Sequence, residues 1–328
     1  MSGGLRAPFP YFGGKSRVAD VIWRRFGTVR NYVEPFFGSG AVLLASDKSG
    51  RTETINDADG YVSNFWRAIQ ADPAAVAKWA NWPVNEDDLQ ARHYWLITKG
   101  RDRLTVLGNP DGYDAQVAGW WVWGLCSWIG SGWCSGEGPW QWTGEEWIKR
   151  SGGEGINRKL PHLGDAGRGI NRQLPHLGDA GRGINRITGA AILDQFTALA
   201  DRMRGVRVAH GDWSRVCKSS VTWQHGLTAV FLDPPYGGDR CENLYATDSM
   251  DVAAKVRAWA VDAGQRPDMR ICLAGYADEH DLPGWSQCAW KAKGGFGNQC
   301  DGRGRVNASR ETLWFSPACL PQDNPRLI

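Results

Sequence analysis

The residues best suited to chemistry are Asp233-Pro234-Pro235-Tyr236, which end the apolar run from Leu227 to Leu232. Two consecutive prolines cannot continue a central strand, so the chain must leave its sheet rigidly here, with Asp233 and Tyr236 at the edge. An exocyclic amine on a purine is a poor nucleophile, because its lone pair is delocalised into the ring. A carboxylate accepting one N–H and a prolyl carbonyl accepting the other could hold such a nitrogen in line for attack, while an aromatic ring stacks on the base.

Three further places carry residues of the right type. Glu34-Pro35-Phe36-Phe37-Gly38-Ser39-Gly40 follows a short apolar segment and precedes the helix-like Ala41 to Ser46. Glycines at 38 and 40 let a backbone turn tightly and approach a ligand, although the same F-x-G-x-G pattern also suits a plain strand-to-helix turn. About 20 residues beyond that loop stands Asn56-Asp57, where an acidic side chain can accept hydrogen bonds from ribose hydroxyls. Gly211-Asp212-Trp213 ends another short segment. Both Asp57 and Asp212 suit helix N-caps as well.

The elements that must position these groups are short apolar segments ending in Gly, Asp or Pro: 31–36, 53–57, 206–212, 227–233 and 270–276. Helical patterns follow at 41–46, 62–70 and 251–263. Buried strands alternating with helices imply an α/β fold with a mostly parallel sheet, whose ligands bind at the carboxyl ends of the strands. Eleven of the 19 tryptophans lie between Trp79 and Trp147, and the run from Ala115 to Ile129 reads as one buried helix. Its bulky rings suit either core packing or stacking on bases.

At 328 residues the chain has the length of about two domains, and 42% hydrophobic residues with 22% charged describe an ordinary globular composition. No apolar run approaches the ~20 residues of a membrane span, and Met1 to Tyr11 lacks a signal-peptide core, so a cytoplasmic protein is expected. Eight cysteines without a Cys-x-x-Cys pair argue against a zinc site or a dense disulfide framework; no metal is expected. Gly155 to Arg168 and Gly169 to Arg182 are two copies of a fourteen-residue repeat, with a third beginning at Gly183. Glycines and the prolines at 161 and 175 keep it from being helical. Lys149 to Arg186 holds eight basic and three acidic residues, a local charge of +5 against +3 for the whole chain. Arg158, Lys159, Arg168, Arg172, Arg182 and Arg186 could therefore reach the phosphates of a polyanionic partner, or form a solvated loop expanded by duplication.

Taken in order, Pro10-Tyr11-Phe12-Gly13-Gly14-Lys15, the 34–40 loop, Asn56-Asp57 and Asp233-Pro234-Pro235-Tyr236 resemble the Dam-type DNA adenine N6-methyltransferases of the D12 class, alpha group. The resemblance extends over residues 8 to about 72 and about 200 to 316, where 273–276 and 311–317 look like the late part of phage-type members. It implies a Rossmann-like sheet that uses S-adenosylmethionine and acts on double-stranded DNA, as a monomer or homodimer. Tyr11 and Lys15 would contact the cofactor beside its methionine end, with Phe37, Gly38 and Gly40 beneath it. Asp57 would bind its ribose and Asp212 would lie near its adenine, while Asp233, Pro234, Pro235 and Tyr236 would form the catalytic motif around the target base. The catalytic domain would comprise residues 1–73 and 192–328, and 74–191 an inserted, mainly helical plus hairpin-loop recognition domain with the repeat at 155–186. The Trp-rich stretch and the repeat depart from familiar relatives, so no recognition sequence transfers. Gly13-Gly14-Lys15-Ser16 is not a P-loop, because Phe9 stands where the first glycine is required. A cytosine-N4 enzyme and a catalytically idle DNA-binding relative are the competing readings.

Overall fold

The computed structural model describes residues 5–11, 14–47, 50–104, 112–128, 133–134, 140–142, 147–149, 189–235, 250–277, 280–290 and 311–321. In chain order its main elements are α1 (Ala19–Phe26), β1 (Asn31–Glu34), α2 (Ala41–Leu44), β2 (Thr52–Asp57), α3 (Gly60–Ala71), α4 (Pro73–Ala80), α5 (Glu86–Trp95), α6 (Arg101–Arg103), α7 (Ala115–Ser127), β3 (Trp140–Trp142), β4 (Trp147–Lys149), α8 (Gly189–Met203), β5 (Val206–His210), β6 (Thr228–Leu232), α9 (Met250–Ala263), β7 (Met269–Tyr276), β8 (Ser286–Ala289) and β9 (Glu311–Phe315). All five strands and three helices expected from the sequence are present, and α7 ends two residues short of its expected end.

Seven strands form one sheet in the order β5-β2-β1-β6-β7-β9-β8. The pairs β5/β2, β2/β1, β1/β6 and β6/β7 are parallel, whereas β9 runs antiparallel to both β7 and β8. β1 and β6 are buried at every position. Such continuous burial is the mark of a parallel strand covered on both faces, which is why these strands stand out in the sequence. β8 does not: in Ser286–Ala289 only Cys288 is buried, so it lacks the apolar run that announces a central strand.

Successive residues of the central strands face opposite layers. Ala229 and Phe231 join Tyr32, Phe65, Trp66, Trp121 and Phe196 on one side, while Val230 and Leu232 join Val33, Val256, Ala260 and Trp314 on the other. The first layer also takes Val76, Ala77 and Ala80 of α4 and Val117, Ala118 and Val122 of α7, so the start of 74–191 shares its core with the sheet. Asp114 caps α7 by accepting from Val117 N–H at 2.8 Å. Gly119 lets α7 approach α4: a Cβ there would stand 2.4 Å from Trp79 Cβ and 2.8 Å from the Val76 carbonyl. Trp121 and Trp123 are fully packed in the core, the simpler of the two roles open to the tryptophan run.

A buried ion pair locks α8 to the sheet. Arg202 donates to both Glu53 carboxylate oxygens at 2.7 and 2.9 Å and also to the Leu43 and Ser46 carbonyls at the end of α2. Arg51 approaches the same glutamate at 2.8 Å. Cys126, Cys134, Cys217, Cys272, Cys288 and Cys319 are buried free thiols. β3 and β4 form a separate antiparallel pair at 140–149, ahead of the repeat. The repeat itself, with Arg158, Lys159, Arg168, Arg172, Arg182 and Arg186, lies outside the described residues.

Candidate active site

The strand order reverses between β1 and β6, and in open α/β sheets the crevice beyond the carboxyl ends at such a switch point is where ligands bind. The chain leaves β1 through Pro35–Gly40 and leaves β6 through Asp233. Parallel pairing of Asn31 with Thr228 and of Val33 with Val230 aligns the ends of these two strands. β2 and β5 complete the edge with Asp57 and the turn at Gly211.

The glycine loop is held from several sides. Phe37 N–H donates to the Asn56 carbonyl at 3.0 Å, and Trp66 Nε1–H donates to the Gly38 carbonyl at 2.9 Å. Asn56 Nδ2 donates to the Pro35 carbonyl at 3.1 Å and to the Gly211 carbonyl at 2.9 Å, stitching the turns after β1 and β5 together. Gly38 adopts φ +49°, and a Cβ on it would lie 2.4 Å from the Tyr11 ring. The Tyr11 ring therefore packs against a position that only glycine fills without displacing it.

Asp57 reinforces the same loop, accepting from Gly38 N–H at 2.8 Å and from Asp59 N–H at 2.9 Å. Burial, then the neighbouring Asp59 carboxylate, push its carboxyl up from 3.8 to about 7, against the pull of the backbone N–H donors. The N-cap of α3 is Asp59, which accepts from Tyr61 N–H at 2.8 Å. Three backbone N–H groups, of Gly38, Ala58 and Asp59, bear on the Asp57 carboxylate, which with about four lone-pair sites can still accept from a ligand hydroxyl. Asp212 does serve as a cap: its carboxylate accepts from Ser214 N–H at 2.9 Å at the start of the short turn 213–215. That turn presents Trp213, which stacks with Phe36 at a ring distance of 6.2 Å and an angle of 29°.

Across the crevice, Lys15 Nζ donates to Asp233 Oδ1 at 2.9 Å and Oδ2 at 2.8 Å. Lys15 is 2% exposed and the Asp233 side chain 20%. The ammonium also lies 3.9 Å from Glu311 Oε2 and 5.8 Å from the centre of the Trp290 ring. Glu34, at the end of β1, is buried and accepts from the Tyr32 hydroxyl at 2.7 Å. Burial raises its carboxyl well above the usual carboxylate range, with the Tyr32 hydroxyl pulling the other way and the Asp233 charge adding to the rise.

Of the residues singled out in the sequence, Tyr11, Phe37, Gly38, Gly40 and Asp57 are gathered on the glycine loop. Lys15 is placed on Asp233, and Asp212 on the cap beside Trp213. Pro234 is buried and Pro235 partly so, while Tyr236 lies outside the described residues. Sequence reasoning missed Glu311 and Trp290, and gave no role to Glu34 or Asn56. A glutamate opening the strand Glu311–Phe315, which runs on into Leu313-Trp314-Phe315, was the available signal, since an acid in a wholly buried strand requires a partner. Among the described residues no group of three or more His, Cys, Asp or Glu side chains could hold a metal, and no helix is long and apolar enough to cross a membrane.

A parallel sheet closed by an antiparallel strand, with a glycine loop, an acid after the second strand and an acid-proline exit at its switch point, is consistent with a Rossmann-like methyltransferase fold. Residues 11–106, under a third of the chain, match the family model of D12 class N6 adenine-specific DNA methyltransferase. The matched span carries Tyr11, Lys15, the glycine loop and Asp57, and ends before Asp233. No curated protein matches the chain.

Proposed function

We propose that the protein methylates N6 of an adenine turned out of duplex DNA, with S-adenosylmethionine as donor and Asp233 as the acceptor that positions the amine. The observation that carries this reading is the turn from Tyr11 to Lys15, whose first residue packs on Gly38 and whose last holds Asp233. One short segment thereby joins the loop suited to the cofactor to the acid suited to the base. The donor set fits the cofactor: free lone pairs on Asp57 for ribose hydroxyls, the Phe36 and Trp213 rings for the adenine face, and acidic groups for a cation.

When bound, S-adenosylmethionine supplies a methyl carbon on a sulfonium sulfur, so that the N6 lone pair forms the new C–N bond as the C–S bond breaks and its electrons stay on sulfur. Asp233 accepts one amine N–H and the Pro234 carbonyl the other, which directs the lone pair out of the ring plane. The proton lost from nitrogen leaves to solvent, and no covalent enzyme intermediate is needed. Unstacking the base costs a few kcal/mol, which the Tyr236 ring would largely offset. Residues 74–191 would read the target, with 155–186 supplying phosphate contacts; deleting one repeat unit should then flatten the salt dependence of DNA binding.

The test uses duplex DNA and radiolabelled S-adenosylmethionine, with digestion and chromatography of the product. Labelled N6-methyladenine is expected, and Asp233→Ala should abolish turnover while leaving cofactor binding mostly intact. Labelled N4-methylcytosine would replace this reading with the cytosine enzyme. Absence of any cofactor binding by calorimetry would point to an idle DNA-binding relative.

A further inference from the structure

We propose that Lys15 is a positioning residue for Asp233, and that Glu311 is a second seat for its ammonium that frees Asp233 to receive the substrate amine. The inference rests on the reading of Asp233 as the amine's acceptor, and it gives Lys15 a role other than contact with the cofactor.

A buried ammonium is strongly disfavoured unless it is paired and hydrogen-bonded. Lys15 meets this need by straddling both oxygens of Asp233, which fixes the carboxylate plane where the chain leaves β6. The same straddling opposes function, because an incoming amine must compete with a cation for those oxygens. Glu311 relieves the competition. It stands 3.9 Å from the ammonium on β9, a strand whose register is set by pairing with Tyr276. A shift of about 1 Å would bring that separation to ordinary hydrogen-bonding distance. Lys15 would then keep one Asp233 oxygen and gain Glu311, leaving the other oxygen to the amine N–H. Glu34 does not compete for this ammonium in the same way, since burial favours its neutral form and Tyr32 already donates to it.

The test compares Lys15→Met, Lys15→Arg, Glu311→Gln and the double variant Lys15→Met/Glu311→Gln in the full chain. For each, the dissociation constant for S-adenosylmethionine is measured by calorimetry, kcat at saturating cofactor and DNA, and thermal unfolding. Misplacing a positioned group by about 1 Å can cost on the order of 100-fold in rate. Lys15→Met should accordingly lose roughly 100-fold in kcat with the cofactor dissociation constant changed less than about threefold, and Lys15→Arg should recover part of the loss. Glu311→Gln should lower kcat by roughly tenfold alone and add little to Lys15→Met, because it acts through the lysine.

A cofactor dissociation constant raised tenfold or more in Lys15→Met, with kcat retained, would make Lys15 a cofactor ligand and overturn the proposal. Full additivity of the two substitutions, or an unchanged kcat in Glu311→Gln, would also overturn it. Should Lys15→Met fail to fold, Glu311→Gln and Lys15→Arg still decide the matter. Failure of the methyltransferase reading is distinguishable, since the unsubstituted chain would then form no N6-methyladenine.

Discussion

Asp57 offers the sharpest pH-dependent expectation. Its carboxyl titrates near 7 instead of 3.8 because burial and the Asp59 carboxylate disfavour the anion. If the anion is the form that accepts ribose hydroxyls, cofactor affinity follows the ionised fraction. A group titrating near 7 is roughly one-tenth ionised at pH 6 and roughly nine-tenths at pH 8. The association constant for S-adenosylmethionine should thus rise about tenfold over that interval, and calorimetry at pH 6, 7 and 8 measures it directly. Asp57→Asn removes the titration, so its affinity should be low and flat across the same range. Stability moves the other way. With a folded pKa above the unfolded one, the folded state binds the extra proton, so this contribution is complete below about pH 4 and is lost as pH rises through about 7. Its slope is no steeper than about 1.4 kcal/mol per pH unit. Relative to Asp57→Asn, the unsubstituted protein should lose denaturant stability between pH 5 and 8. An affinity that is flat in the native chain, or that rises equally in Asp57→Asn, would refute the assignment of the pH dependence to this carboxylate.

Gly38→Ala should lower stability by about 1–3 kcal/mol, since alanine at a left-handed φ costs about 1 kcal/mol or more and its methyl displaces Tyr11; urea unfolding measures the loss, and cofactor affinity should fall with it. Arg202→Met should destabilise by about 2–4 kcal/mol, because Glu53 stays buried with Arg51 as its remaining cationic partner among the described residues, while kcat of the folded fraction is unchanged. Phe36→Ala removes one ring of the pair with Trp213; cofactor affinity should drop roughly tenfold in calorimetry, with little change in melting temperature because Phe36 is only partly buried.

The central strands were legible because their evidence is local. A parallel strand buried on both faces reads as an unbroken apolar run, and the Gly, Asp and Pro that end each run are the residues the exits require. The glycine loop was legible for the same reason, although its partners were not. Asn56, Trp66 and Tyr11 hold it through contacts between turns that no spacing along the chain announces. The tryptophan run illustrates the reverse limit: its composition favoured packing but left stacking open, and the burial of Trp121 and Trp123 against the sheet bears out packing for those two rings. Edge strand β8 was missed, since an edge strand has no need of a continuous apolar pattern, and β9, which is interior and buried, was not read as a strand because Glu311 and Thr312 open it with polar side chains.

What the amino-acid sequence determined by itself was which segments form the five parallel strands, which residues leave them, and which of those residues have the chemistry for a base and a nucleotide. Tertiary structure alone decided that Lys15 meets Asp233 across 218 positions and that Glu311 stands beside them. Hydrophobic patterning specifies that a strand is buried, but strand order and register specify beside which other strand, and that order is set by the packing of the whole sheet.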